Sequence, residues 1–262
     1  MKNLFKEVSF SLKLFTFIFL FMVSSGLSAQ ELDVTDYAGR PGVAEGSEML
    51  PKGKLMWEVG ADYYYIADEF ADYNFWTLHN SFLRYGLTKT TEVYAGFNIM
   101  HGELEEDEWK TGLGTVYVGG KFRICEKNGL IPEAAFVTYL ILPVGKKEFR
   151  VNEVAPMLHL AFTHTLSQRM DLGYDFGLEW DGDSEKPIAA ANLWMAYQLA
   201  SRFGLYAESV NHFRKHDKPT FDVGLGFTWK LNRRIVFDVF GQMSCDNLGD
   251  YFGVSAGFCW LI

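Results

Sequence analysis

Cysteine is scarce in this sequence: three residues, Cys125, Cys245 and Cys259, occur in 262, and none belongs to a Cys-x-x-Cys pair. Such a count excludes a disulfide framework, and no Cys and His residues have the spacing of a zinc site. Beyond residue 29, the sequence also lacks the roughly 18 consecutive apolar residues that a membrane-spanning helix needs. The fold is therefore expected to depend on neither disulfides nor metal, and we expect no cofactor.

Positive charge is also in short supply. The chain has 24 Lys and Arg against 33 Asp and Glu, which gives a formal net charge of -9 at pH 7. This balance argues against nucleic acid as a partner and gives no reason to expect attraction to anionic surfaces.

Residues 1–29 have the pattern of a secretory signal peptide. Three lysines flank the start of the apolar run "LFTFIFLFMV" (14–23), and the small residues of "SSGLSAQ" follow it. An uncleaved membrane anchor is less favoured, because the apolar run is too short to span a bilayer comfortably. We predict cleavage after Ala29, which removes three Lys and one Glu and leaves a net charge of -11.

The rest of the sequence alternates between apolar and polar residues with a period of two. In "RMDLGYDFGLEW" (169–180), every second residue from Met170 to Trp180 is apolar, and the intervening residues are Arg, Asp, Gly or Glu. A period of two indicates a strand with two unlike faces, so the predicted class is all-β. Twelve strands are predicted, near 53–66, 73–87, 91–101, 112–125, 131–142, 154–166, 169–180, 187–199, 202–213, 219–231, 234–244 and 251–262.

Short and long connections alternate between these predicted strands. Short turns such as "TLSQRMDL" (165–172) are separated by longer polar connections such as "ADEFADYN" (67–74), "HGELEEDEWKTG" (101–112) and "PVGKKEFRVNEV" (143–154). This rhythm is typical of an outer-membrane barrel with short periplasmic turns, longer outer loops and an even number of strands. A soluble sandwich would share the strand pattern but would turn its apolar face inward.

Aromatic residues at strand ends favour the membrane alternative, because they form girdles at both interfaces of a bilayer. They are Tyr63, Tyr65, Tyr85, Trp180, Tyr197, Trp229 and Trp260. We predict an antiparallel transmembrane β-barrel of about 12 strands (range 10–14) over residues 53–262, in the outer membrane of a Gram-negative bacterium. Its expected partners are outer-membrane lipid and the barrel-assembly machinery, whose recognition signal the final strand "YFGVSAGFCWLI" resembles, with Ile262 at the usual Phe position.

The segment "GRPGVAEGSEMLPKGKLMWEVGADY" (39–63) resembles the opening of the outer-membrane family described as putative MetA-pathway of phenol degradation. The matching positions there are Arg40, Pro41, Glu45, Pro51, Gly53, Glu58 and Gly60. Farther on, "LRYGLTKTTEV" (83–93), "TGLGTVYVGGK" (111–121) and "LPVGKKE" (142–148) are similar to family motifs. The resemblance covers residues 37–262 and implies a transporter for a small solute, aromatic or apolar.

The polar face of the predicted strands should line the lumen. Its charged members are Glu58, Arg84, Glu92, Lys121, Arg123, Asp171, Asp175, Glu179, Asp222 and Asp238. Such residues either set the selectivity of a pore or pair with one another and block it, and both outcomes stay open for a barrel of this size. Arg84 and Glu58 are the best candidates for an internal pair.

Residues 30–52 lack strand or helix periodicity. They are predicted to form an irregular segment that either closes the periplasmic mouth, as a plug in the lumen, or frays before the first strand.

The predicted function is passive or facilitated, porin-like passage of a small solute. The alternatives are a plugged structural or binding barrel without flux and, less favoured, an outer-membrane hydrolase. His79 and Ser81 share a strand face, but neither an orienting group nor an oxyanion site can be named, so we expect no enzyme. The acidic run "ELEEDE" (103–108) is expected to be a solvated loop rather than a calcium site.

Overall fold

A computed structural model describes residues 32–67, 72–105, 108–215, 218–245 and 251–262. The predicted signal peptide, residues 1–29, lies outside the described residues. Within these ranges, no helix has the length and apolar character that a membrane span requires.

Twelve antiparallel strands follow one short 3-10 helix, Val34–Asp36, in the described part of the chain. They are β1 (Leu55–Ala67), β2 (Asp72–Gly86), β3 (Thr91–Glu105), β4 (Glu108–Cys125), β5 (Glu133–Leu142), β6 (Ala155–Ser167), β7 (Met170–Glu179), β8 (Ile188–Ala200), β9 (Phe203–Phe213), β10 (Thr220–Asn232), β11 (Ile235–Ser244) and β12 (Tyr251–Leu261). Each strand pairs with its sequence neighbours, and β1 pairs with β12 to close the barrel. The predicted fold class and strand number are confirmed.

The predicted lengths of two outer connections are wrong. Instead of a loop at 101–112, β3 continues to Glu105 and β4 begins at Glu108, with Gly102 opposite Lys110. Likewise β1 continues to Ala67 and β2 begins at Asp72. Backbone pairing does not depend on apolar side chains, so a hairpin can continue into water with charged residues on both faces. The apolar alternation therefore stops earlier in the sequence than the strand itself, and polar residues alone do not mark the strand end.

The two faces of each strand differ in exposure as a membrane barrel requires. On β7, Phe176 is 54% exposed on the outer face, whereas its neighbour Asp175 is fully buried on the inner face. On β10, Leu225 is 73% exposed, whereas Gly224 and Gly226 are buried. The apolar parity thus faces outward and the polar parity faces the interior, the arrangement expected of a barrel in a membrane.

Several of the aromatic residues near strand ends contact one another across the outer surface. Trp229 on β10 stacks on Phe237 of β11, with ring centroids 5.6 Å apart. Tyr63 on β1 packs on Trp76 of β2 at 4.7 Å. The Trp57 indole N–H donates to Ser81 Oγ at 2.8 Å, so both polar atoms are satisfied on a face that offers no water.

We expect Leu225→Arg to destabilise the barrel by about 2–4 kcal/mol, because the substitution places a charge on the outer face near the middle of β10. Leu130→Arg is the matched control, since Leu130 is 95% exposed in the connection between β4 and β5. That control should change the free energy of unfolding by less than about 0.5 kcal/mol. Denaturant unfolding in lipid vesicles measures both, and equal small effects would contradict the outward assignment.

Candidate functional site

Residues 37–50, which we call the strap, pass along the inner wall of the barrel between two anchored ends. The anchor is an apolar cluster at the short-turn end of the barrel. It comprises Val34, Leu50, Met56, Val236, Cys259 and Leu261, all buried. Because Val34 precedes the strap and Leu50 ends it, one cluster holds both ends.

Polar contacts complete the anchor. The backbone N–H of Val34 donates to Arg233 O at 2.8 Å, between β10 and β11. Lys230 Nζ lies 2.7 Å from Asp33 Oδ2. Burial of Asp33 would raise its pKa, but hydrogen bonds from Lys230 and Thr35 outweigh burial and hold the pKa below its ordinary value. Asp33 is therefore charged and paired at neutral pH.

A tight turn joins the strap to β1. Lys54 N donates to Pro51 O at 3.0 Å, and Gly53 N donates to Gly86 O at 2.7 Å. Gly53 has φ +81°, a conformation that side chains disfavour, which explains glycine at this family position. The turn fixes the point at which the strap enters the sheet.

The strap belongs to no strand, so its backbone N–H groups need other acceptors. Inward-facing carboxylates of four strands supply them. Gly39 donates to Glu58 at 2.9 Å, Val43 and Ala44 donate to Glu208 at 3.0 and 2.9 Å, Glu45 donates to Asp175 at 2.9 Å, and Leu50 donates to Glu92 at 2.8 Å. Lumen carboxylates thus act as the hydrogen-bond partners that a neighbouring strand would otherwise provide.

Cationic and aromatic side chains of the wall bind the strap carbonyls. Lys121 Nζ donates to Gly46 O at 2.5 Å and to Glu48 O at 3.3 Å, Arg84 Nη1 donates to Tyr37 O at 2.7 Å, and Trp194 Nε1 donates to Glu45 O at 3.3 Å. In return, the strap residue Arg40 donates to Asp238 Oδ1 at 3.0 Å and to Ser255 Oγ at 2.6 Å. The strap therefore has contacts around most of the inner circumference.

Glycine allows the strap to lie close to the wall at two points. Gly42 has φ +106°, and a Cβ there would lie 2.4 Å from the Tyr206 ring. A Cβ on Gly226 would lie 2.9 Å from Pro41. A side chain at either glycine would push the strap away from β9 or β10.

Arg84 is the central cation of the lumen. Its guanidinium lies 2.9 Å from Glu58 Oε1 and 2.6 Å from Glu92 Oε1, and all three side chains are buried. The pair expected between Arg84 and Glu58 is present, with Glu92 as a second partner. Since these carboxylates also accept N–H groups of the strap, the ion-pair cluster joins strands β1, β2 and β3 to the strap.

A second charged cluster was not predicted from the sequence. His159 on β6 lies 2.7 Å from Asp175 Oδ1 and 3.1 Å from Glu179 Oε1, and His212 lies 3.5 Å from Glu179 Oε2. Asn192 also donates to Asp175, at 3.0 Å. The alternation of residues in β6 could have predicted this cluster, because it places His159 on the same inner face as the acidic residues of β7.

Four aromatic side chains form a cluster on the inner wall of β2 to β5. They are Phe82, Tyr94, Tyr117 and Tyr139. Ring centroids lie 5.2 Å apart for Phe82 and Tyr94, 5.5 Å for Tyr94 and Tyr139, and 6.2 Å for Tyr117 and Tyr139. With the strap they line a cavity of about 440 Å³, which continues toward the turns after β6 and β8. These four residues lie on the inner face of their strands, which was predicted from its charged members alone, so the cluster was not predicted.

The remaining predicted lumen residues occupy less enclosed places. Arg123 is half-buried at the end of β4 and contacts Glu126 and Glu133, each at 3.2 Å. Asp171 is half-buried and lines the cavity near the end of β7. Asp222 on β10 is also half-buried. None of these three belongs to the two buried charge clusters.

His79 and Ser81 face outward rather than into the cavity. The His79 ring packs on Phe97 at 5.7 Å, and Ser81 accepts the Trp57 hydrogen bond. Neither residue is among those that line the cavity. In the described chain, no group of three His, Cys, Asp or Glu residues is placed to hold a metal ion.

We expect Arg84→Met to destabilise the protein by about 3–5 kcal/mol, because the variant leaves Glu58 and Glu92 buried without their cation. The control Arg84→Met/Glu58→Gln/Glu92→Gln removes all three charges and retains the acceptor oxygens. It should be more stable than the single variant. Denaturant unfolding compares them, and a single variant within about 1 kcal/mol of wild type would show that the cluster carries little energy.

Solved structures similar to this barrel include two porins and the β domain of an autotransporter. The NanC porin superposes with a TM-score of 0.54 at 10% identity, covering 77% of this chain and 98% of that one. The KdgM porin gives 0.51 at 7% identity, with the same coverages. The β domain of the Bordetella autotransporter BrkA gives 0.50 at 11% identity, covering 79% and 98%. At these identities the likeness concerns the fold alone.

No curated protein matches the chain. A family model does match, over residues 38–261, and thus includes all of the strap except Tyr37 together with all twelve strands. The residues that suggested the resemblance belong to the strap and its attachments. Arg40, Pro41 and Glu45 lie in the strap, Pro51 and Gly53 lie in the turn that follows it, and Glu58 lies in the Arg84 cluster. The chain is a closed, porin-like β-barrel of the outer membrane and belongs to the family described as Putative MetA-pathway of phenol degradation.

Proposed function

We propose that the protein is an outer-membrane channel for a small aromatic or apolar solute, which passes through the lumen without energy coupling. The observation that carries this proposal is the aromatic cluster of Phe82, Tyr94, Tyr117 and Tyr139 beside a cavity of about 440 Å³. This volume is within the range of about 300–1,000 Å³ typical of small-molecule sites. Ring faces and edges at this spacing can stack with an aromatic solute.

The strap is the gate of this channel. It follows the inner wall and narrows the lumen, and both of its ends are held by the same apolar cluster, so it can leave the wall as a loop without releasing its anchor. Its hydrogen bonds go to side chains that water or a solute can satisfy equally well. Opening therefore exchanges hydrogen bonds instead of breaking β-sheet pairing.

A plugged barrel without flux is the second candidate, and the strap contacts favour it. Strap groups bind inward-facing side chains from β1 to β9, β11 and β12. If all of these contacts persist at equilibrium, the protein is a structural or binding barrel. The two candidates differ in one respect, which is whether the strap moves.

A disulfide that locks the strap distinguishes them. Ser47 N lies 3.3 Å from Thr163 Oγ1, so the γ-sulfur atoms of Ser47→Cys/Thr163→Cys can approach each other. The three natural cysteines, Cys125, Cys245 and Cys259, are replaced by alanine. In liposomes, the reduced variant should release labelled L-phenylalanine faster than L-glutamine, which has the same charged groups and a similar size. Oxidation should lower release to the rate of protein-free liposomes, and a reductant should restore it.

Each single-cysteine variant controls for the substitutions themselves and should not respond to oxidation. Equal release from oxidised and reduced protein would show that the strap is not the gate. Release no faster than from protein-free liposomes in the reduced state would favour the plugged barrel. Tyr117→Leu tests the aromatic cluster, because it removes one ring and should slow phenylalanine release while glutamine release stays unchanged.

A further inference from the structure

The side chain of one strap residue, Glu45, occupies the aromatic cluster. Its Oε1 accepts a hydrogen bond from the Tyr139 hydroxyl at 2.7 Å, and the residue lines the cavity. The Glu45 backbone is held on both sides, by Asp175 at N–H and by Trp194 at the carbonyl. A carboxylate is thus fixed among aromatic rings inside the barrel.

Lys121 is the cation of the barrel wall that binds the strap beside Glu45. Its side chain is buried, and Glu92 lies opposite it on the neighbouring strand β3. Both of its hydrogen bonds go to strap carbonyls, of Gly46 and Glu48. Gly46 directly follows Glu45, so the Lys121 ammonium binds the strap next to Glu45, and both residues line the cavity. Both hydrogen-bond partners that the structure gives the Lys121 ammonium therefore belong to the strap.

Departure of the strap would remove these partners together. The Tyr139 hydroxyl would lose its acceptor, and the Lys121 ammonium would lose both of its carbonyls. Water can solvate the ammonium in the open lumen, but a ligand that supplies negative oxygen atoms binds it by a charge-assisted hydrogen bond and is therefore favoured at this place. The rings of Phe82, Tyr94 and Tyr117 remain beside it and favour a planar apolar body.

We propose that the lumen contains a binding site for small aromatic monocarboxylates, and that Glu45 occupies this site as an internal stand-in while the strap is closed. The Lys121 ammonium and the Tyr139 hydroxyl bind the solute carboxylate, and the aromatic cluster binds its ring. The solute competes with Glu45, so binding and strap opening are coupled. This inference rests on the proposed function, of which it names the solute class.

The competition explains why the neighbouring carboxylates do not repel such a solute outright. Arg84 pairs with both Glu58 and Glu92, and Asp175 is bound by His159 and Asn192. A bound monocarboxylate takes the place of the Glu45 carboxylate instead of adding a negative charge to the site. The total charge near Lys121 is therefore the same in the closed and the occupied states.

Titration calorimetry on the full-length protein in detergent micelles tests the site with sodium benzoate, benzyl alcohol and benzylammonium. Benzoate should bind at least about tenfold more tightly than benzyl alcohol, the scale of one charge-assisted hydrogen bond, and benzylammonium should not bind. Lys121→Gln should lose about tenfold in benzoate affinity without affecting benzyl alcohol. Lys121→Arg keeps the charge and should retain benzoate binding. This control distinguishes loss of benzoate affinity through loss of the charge from loss through misfolding.

Glu45→Gln tests the competition. The variant keeps an oxygen acceptor for Tyr139 but removes the charge, so benzoate affinity should rise several-fold. Glu48→Gln is the matched control, because it removes the same charge from the same strap without touching Tyr139, and it should have little effect. Benzoate should also change the intrinsic fluorescence of wild type more than that of Trp194→Phe, since Trp194 loses its bond to the Glu45 carbonyl when the strap leaves.

Equal affinity for benzoate and benzyl alcohol, or unchanged benzoate affinity in Lys121→Gln, would overturn the carboxylate site. Phenylalanine release that persists in that case would leave the proposed channel intact. Loss of both benzoate binding and phenylalanine release would overturn both.

Discussion

Lipid offers no hydrogen-bond partner to a polypeptide backbone, and this constraint shapes the whole structure. Twelve strands satisfy one another because β1 pairs with β12, which leaves no open sheet edge. Closure also separates the two side-chain faces, since every strand must turn apolar residues to the acyl chains and polar residues inward. The charged, glycine-rich and partly aromatic interior is thus the consequence of a closed sheet in an apolar solvent.

The interior of a twelve-stranded barrel is occupied either by protein or by water. Here it holds the strap, which has no regular secondary structure. The strap carries backbone groups that need partners, and the inward carboxylates meet that need. Three of these carboxylates also have a cationic partner, Arg84 for Glu58 and Glu92 and His159 for Asp175, whereas Glu208 accepts hydrogen bonds from Val43, Ala44 and Tyr206. An arrangement built from many exchangeable hydrogen bonds and one apolar anchor is suited to opening, because the loop can leave while its ends stay in place.

Period two in the sequence was sufficient to predict the class, the number of strands and most strand ends. The outward face of residues such as Phe176 needed two further signals, the alternation of short and long connections and the aromatic residues at strand ends. The pair of Arg84 and Glu58 was also predictable, because both residues lie on the inner parity of adjacent strands. The path of the strap was not, since residues 37–50 have no periodicity and contact strands as distant in sequence as β9, where Glu208 binds Val43. The His159 cluster depends on the register of β6 with β7, and the extension of β3 and β4 depends on backbone pairing in water, neither of which composition reveals.

Whether the strap closes the lumen is the central claim, and single-channel conductance in planar bilayers tests it most directly. The comparison is between the full chain and a variant in which residues 39–48 are replaced by a short Gly-Ser linker, which the shared anchor of Val34 and Leu50 allows. Both proteins should show the heat-modifiable mobility of a folded barrel. We predict a larger and steadier conductance without the strap, and brief openings with it. Equal conductance in the two proteins would contradict the account.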